Sequence, residues 1–69
     1  MQLSARNCLP GTIRAIEPGA VNAEVTLELA PGLVVVSIIT LDAVKSLDLK
    51  VGSKAYAVIK ASSVMVAVD

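Results

Sequence analysis

The sequence predicts an all-β domain, a small five-stranded barrel with one short helix between strands 3 and 4. Three observations lead there. Apolar and polar residues alternate strictly through residues 21–29, the period of a half-buried strand. Proline and glycine punctuate the chain at Pro10-Gly11, Pro18-Gly19, Pro31-Gly32 and Gly52, leaving short runs suited to strands. The chain is 55% hydrophobic with a single aromatic, Tyr56, so its interior must be aliphatic.

Residues 9–16 read as the first strand, with Pro10-Gly11 marking a bulge or a late start. The Glu17-Pro18-Gly19-Ala20 segment is a turn, because proline presets φ at its second position and glycine supplies positive φ at its third. In the second strand, residues 21–29, Val21, Ala23, Val25, Leu27 and Leu29 share one face. Asn22, Glu24, Thr26 and Glu28 share the other. A turn at Ala30-Pro31-Gly32 sends residues 33–39 back as its antiparallel partner. Val34, Val35, Val36, Ile38 and Ile39 cover both faces of that third strand, which implies burial on both sides, within the subunit or between subunits.

Thr40 is placed to cap a helix over residues 41–47, with Asp42 in the favourable first turn. After a loop ending at Gly52, residues 54–60 and 64–68 read as strands four and five, joined across Ala61-Ser62-Ser63. The order β-β-β-α-β-β is that of the OB-fold, a small Greek-key barrel. Closure would hide the edges of very hydrophobic strands. The competing reading is an open sheet that closes only by pairing with another chain. Residues 1–69 form a single domain in either case.

Composition excludes several function classes. A chain of 69 residues has too little interior for so many Val, Ile, Leu and Ala side chains, so an obligate homo-oligomer is expected. Six basic and six acidic residues give no net charge, hence no long-range field favouring nucleic acid or an anionic membrane. Single-strand binders also stack bases on aromatic side chains, and Tyr56 stands alone. The longest uncharged run, residues 29–41, is shorter than the ~20 residues a bilayer span needs and contains Pro31 and Gly32. Arg6, Arg14 and Glu17 interrupt the N-terminal stretch, so no signal peptide is expected. One cysteine, Cys8, allows no internal disulfide and suits a reducing cytoplasm. It reads as a small buried hydrophobe.

The residues offer little for catalysis. Histidine is absent, and Cys8 has no base beside it. Glu24 and Glu28 share a solvated strand face, where a surface role opposite Arg14 on the neighbouring strand is expected. No Cys/His cluster or acidic loop has metal-ligand spacing. A non-enzyme follows, without bound cation, nucleotide or haem. Two polar segments remain, Ser4-Ala5-Arg6-Asn7 and Lys60-Ala61-Ser62-Ser63. Each joins a fixed cation to small hydroxyl residues and unobstructed backbone N–H groups, the donors an oxyanion requires.

Ser4-Ala5-Arg6-Asn7, Gly19-Ala20-Val21-Asn22-Ala23-Glu24-Val25, Ser37-Ile38-Ile39-Thr40 and Val58-Ile59-Lys60-Ala61-Ser62-Ser63-Val64-Met65 together resemble the molbindins. These are the small molybdenum-pterin-binding (Mop) proteins, whose unit is also called a TOBE domain. The resemblance covers essentially the whole chain, with the segments in the family's order and spacing. It implies an OB-like barrel and a cytoplasmic protein that stores molybdate, and tungstate, for molybdenum homeostasis. It further implies a hexamer built as a trimer of dimers, with oxyanions between subunits and no nucleic-acid or membrane partner. Ser4, Ala5, Arg6 and Asn7 match one half of a first site. Thr40 with Lys60, Ala61 and Ser62 matches the other, the halves coming from different subunits. Gly19, Ala20, Val21 and Asn22 match a second site near a threefold axis. The implied ligand is the plain oxyanion rather than a pterin. An all-donor set suits anions carrying no proton, whereas hydrogen phosphate needs an acceptor, and neither motif contains a carboxylate.

Overall fold

The computed structural model describes residues 4–69. Four strands, β1 (Asn7–Pro18), β2 (Asn22–Ala30), β3 (Leu33–Thr40) and β4 (Lys54–Ile59), form one antiparallel sheet in the order β3-β2-β1-β4. A six-residue helix, α1 (Leu41–Ser46), joins β3 to β4.

The hairpin between β2 and β3 follows from its turn chemistry. Ala30 pairs with Leu33 across Pro31 and Gly32, and Gly32 takes φ 80°, the combination a type II turn demands. In β1 the register shifts between Ile13 and Ala15 against Leu27 and Thr26 of β2. Arg14 is the extra residue, and such a bulge bends and twists its strand. The polypeptide before β4 braces the bulge: Ile13 N–H donates to Ser53 O at 2.9 Å and Gly52 N–H to Ile13 O at 2.7 Å. Gly11 is required by close approach, since a Cβ there would stand 2.9 Å from both Glu28 O and Leu29 Cδ2.

Strict alternation in β2 turns Ala23, Val25 and Leu27 inward, where they join Ile13 and Ala57 as the buried core. Ile16, Ile39, Val44, Leu49 and Ala55 pack around them. On the outer face Arg14 Nη1 donates to Glu28 Oε2 at 3.0 Å, the surface pairing read from the sequence.

Thr40 caps α1, its Oγ1 accepting from Ala43 N–H at 3.0 Å. The helix ends in a Schellman motif: Asp48 N–H donates to Lys45 O and Leu49 N–H to Val44 O, both at 3.0 Å. Asp48 holds the left-handed position at φ 51°, usually a glycine's. The motif returns Leu49 to the core beside Val44.

Two expectations are corrected. The closed five-stranded Greek-key barrel is, in the single chain, a four-stranded antiparallel sheet with one short helix. Residues 61–63 make a 3-10 turn, and the expected fifth strand, residues 64–68, is extended but unpaired among the described residues. Its alternation and β-branched side chains give it strand character, but a strand exists only where an edge accepts its hydrogen bonds. The third strand is likewise not covered on both faces within one chain. Val35, Ser37 and Ile39 face inward, while Val34, Val36 and Ile38 are exposed.

Candidate functional site

β1 and β4 bring the two polar segments together. Their antiparallel register runs from Thr12 opposite Lys54 to Asn7 opposite Ile59. The next residues out are Arg6 on one strand and Lys60 on the other. Ser4-Ala5-Arg6, leading into β1, and Lys60-Ala61-Ser62, leaving β4, therefore share one end of the sheet although they lie at opposite ends of the chain. Asn7 holds this junction, its Nδ2 donating to Ile59 O at 3.1 Å. That bond gives Asn7 a bracing role the sequence did not reveal, because nothing local distinguishes a ladder-clasping asparagine from a ligand.

The electrostatics of this end are one-sided. Among the described residues the ion pairs are Arg14–Glu28 and Lys50–Asp48, so Arg6 and Lys60 have no carboxylate within 4 Å. Ser4, Arg6, Lys60, Ala61 and Ser62 are all exposed. Two cations, two hydroxyls and the backbone of small residues thus stand open on one surface, donors without acceptor side chains. The 3-10 turn uses Ser63 N–H (to Lys60 O, 2.9 Å) and Val64 N–H (to Ala61 O, 3.3 Å). The N–H groups of Ala61 and Ser62 appear in no such bond.

Thr40 does not belong to this cluster within one chain. It pairs with Asn22 across β2 and β3, by the far end of β1. Twelve residues of β1 separate that end from Asn7, about 35 Å of extended strand. Thr40 lies instead beside the Gly19–Asn22 turn, where Leu41 N–H donates to Val21 O at 3.0 Å and Gly19 N–H to Asn22 O at 2.7 Å. Ala20, Val21, Thr40, Leu41 and Asp42 line a hollow of about 280 Å³ there. Asp42 is the surprise, an acceptor at a place read as all donors. It lies outside the Gly19–Asn22 motif, and only the β2–β3 pairing and the helix cap bring it alongside.

The chemistry of the two ends therefore differs. The Arg6–Lys60 end offers fixed positive charge and donors, the Gly19–Thr40 end backbone, one hydroxyl and a carboxylate. Among the described residues, no group of three or more Cys, Asp or Glu has the spacing to hold a metal ion.

With this geometry in hand, the comparisons with known proteins fall into place. The TOBE domain family matches residues 3–66. The probable molybdenum-pterin-binding protein of Haemophilus influenzae is 52% identical over the full length of both chains. A molybdate-binding protein from Sporomusa ovata has the same fold, with a TM-score of 0.90 at 37% identity over 97% of this chain and 98% of its own. The cytoplasmic molybdate-binding protein ModG, in a form with molybdate bound, aligns with a TM-score of 0.84 at 57% identity. That match covers 88% of this chain and 43% of ModG. By sequence and by fold, the chain belongs to the TOBE domain family, among the small molybdenum-pterin-binding (Mop) proteins.

Proposed function

We propose that this protein binds molybdate, and tungstate, at sites between subunits of a homo-oligomer, and so stores molybdenum in the cytoplasm. The observation that carries this reading is the β1–β4 register, which sets Ser4, Ala5 and Arg6 beside Lys60, Ala61 and Ser62 with no carboxylate partner. The family supports the ligand. Relatives across the full length are described as molybdenum-pterin-binding, and a structural neighbour holds molybdate.

The openness of the cluster supports sharing. An anion resting on exposed side chains keeps much of its hydration, and enclosure needs a second surface. The Thr40 end of a neighbouring subunit is the natural lid, since Thr40 lies far from Arg6 along its own chain. A hexamer built as a trimer of dimers is the assembly we infer, with Gly19, Ala20, Val21 and Asn22 forming the second site. Asp42 beside that second site makes it the weaker anion binder of the two. No step of catalysis is assigned to any residue.

Calorimetric titration of the intact protein with molybdate, tungstate, sulfate and hydrogen phosphate tests the reading. Molybdate and tungstate bind, and hydrogen phosphate does not, because its proton finds no acceptor among the Arg6–Lys60 donors. Absence of molybdate binding would leave the alternative, a structural assembly module, which the exposed apolar residues Val34, Val36 and Ile38 favour. Elemental analysis of protein purified from molybdate-fed cells distinguishes the two independently.

A further inference from the structure

Residues 64–68, Val-Met-Val-Ala-Val, leave the 3-10 turn in extended conformation, with Val64 at φ −92° and ψ 123°. Met65, Val66 and Val68 are 93%, 89% and 93% exposed. No strand of the described chain pairs with them. Such a segment is β-branched at every second residue, uncharged and apolar, which is the composition of a core strand and not of a tail in water.

A complementary vacancy lies in the sheet. An apolar groove of about 350 Å³ opens onto the core, with Ile13, Val25 and Leu27 at its floor. Ser37 and Ile39 of β3 form one wall, and Ala55 of β4 belongs to the other. β3 and β4 are the two edges of the sheet, so both walls carry backbone N–H and C=O groups without ladder partners. A groove walled by two free edges over an apolar floor takes one more strand. Ladder bonds form on both sides, and alternate side chains drop onto the core.

The geometry points to an exchange between copies: residues 64–68 of one chain lie as the fifth strand in the groove of a second, between its β3 and β4. Val64, Val66 and Val68 then face Ile13, Val25 and Leu27 of that second copy. The occupant is argued from the chain itself. The segment matches the groove in apolarity and β-branching, and in the described chain it stands away from its own groove. A reciprocal exchange buries both liabilities, the exposed valines and the exposed core, by one symmetric contact. This rests on the homo-oligomer reading above and deepens it by naming the strand that makes the contact. It also ties assembly to the site, because the strand begins directly after Lys60, Ala61 and Ser62.

The test uses full-length chains with Cys8→Ser in both partners, one carrying Val66→Cys and the other Ser37→Cys. The two are unfolded, mixed, refolded and oxidised. Peptide mapping is expected to find a disulfide joining residue 66 of one chain to residue 37 of the other, in a species of twice 7.1 kDa. No 66–37 link in an assembly that still sediments as an oligomer overturns the exchange and leaves the oligomer reading standing. A monomer overturns both. A chain carrying both cysteines that closes an internal link as a monomer also overturns the exchange, since the strand then fills its own groove. Val66→Asp is expected to reduce the assembly to smaller species at micromolar concentration. Unchanged sedimentation of that variant counts against the exchange, and molybdate titration of the same variant reports separately on the anion site.

Discussion

Arg6 and Gly11 show how differently single residues of one strand are constrained. Arg6 lies just before β1, exposed and without a carboxylate partner, so its removal costs the fold almost nothing. Its value lies in the ligand, since a charge-assisted hydrogen bond contributes about 1.5–3 kcal/mol. Arg6→Ala is expected to weaken molybdate binding about ten- to hundredfold in calorimetry, with the oligomer intact by sedimentation. Unchanged affinity would remove Arg6 from the site. Gly11 is the reverse case, a position of pure packing. A methyl there meets the Glu28 carbonyl oxygen at 2.9 Å, and backbone cannot swing aside as a side chain can. Gly11→Ala is expected to cost about 1–3 kcal/mol, as overpacking of a tight contact does. A lowered urea midpoint checks it, with molybdate affinity unchanged in the protein that remains folded. The sequence announced Gly11 only as a bulge or a late start. Its role depends on β2 crossing close by, which no local pattern encodes.

Among the elements, legibility followed whether the signal was local. The β2 alternation, the Pro31-Gly32 turn and the Thr40 cap were all written in adjacent residues, and each stands where the sequence put it. The bulge in β1 was displaced: Pro10-Gly11 drew attention, while the register slips at Arg14, where the hydrogen bonds from Ser53 and Gly52 arrive from forty residues away. Residues 64–68 were legible as strand material but not as an unpaired segment, because pairing belongs to the partner as much as to the segment. The anion cluster was legible as two halves, and β1–β4 register joins them within the chain. Thr40 fell at the other end because the β2–β3 hairpin carries it there. The helix terminus yields a sharp test. Asp48 occupies the left-handed position of the Schellman motif at φ 51°, a conformation that costs an L-residue about 1–2 kcal/mol. Glycine relieves that strain and gives back about 0.4–1 kcal/mol through the freer unfolded chain. Asp48→Gly is therefore expected to stabilise by about 0.5–1 kcal/mol, read as a raised thermal midpoint at fixed protein concentration. The weak surface pair of Asp48 with Lys50 at 3.7 Å is too exposed to offset the gain.

At the scale of the whole molecule, the placement of the ends makes ligand and assembly one equilibrium. Within a chain, Arg6 and Lys60 share one end of the sheet while Thr40 and the Gly19–Asn22 turn share the other. An anion held by the cluster alone would bind a monomer and an oligomer equally, and a ligand with equal affinity for two states shifts neither. An anion enclosed between the cluster and a neighbour's surface binds only the assembled form. Mass action then favours assembly by the factor 1 + [L]/Kd for each shared site. At a molybdate concentration one hundred times its Kd, the apparent dissociation constant of the assembly is expected to fall about a hundredfold per shared site. Sedimentation over a dilution series, with and without molybdate, reads this directly. Sulfate at the same ionic strength controls for screening, which the net charge of zero already keeps small. In the Arg6→Ala variant the molybdate effect on dilution should shrink in step with its lost affinity, because the same contact supplies both. A molybdate affinity that survives while the dissociation curve stays fixed would place the anion wholly within one chain. The exposed Val34, Val36 and Ile38 and the residue 64–68 strand would then drive assembly without help from the ligand.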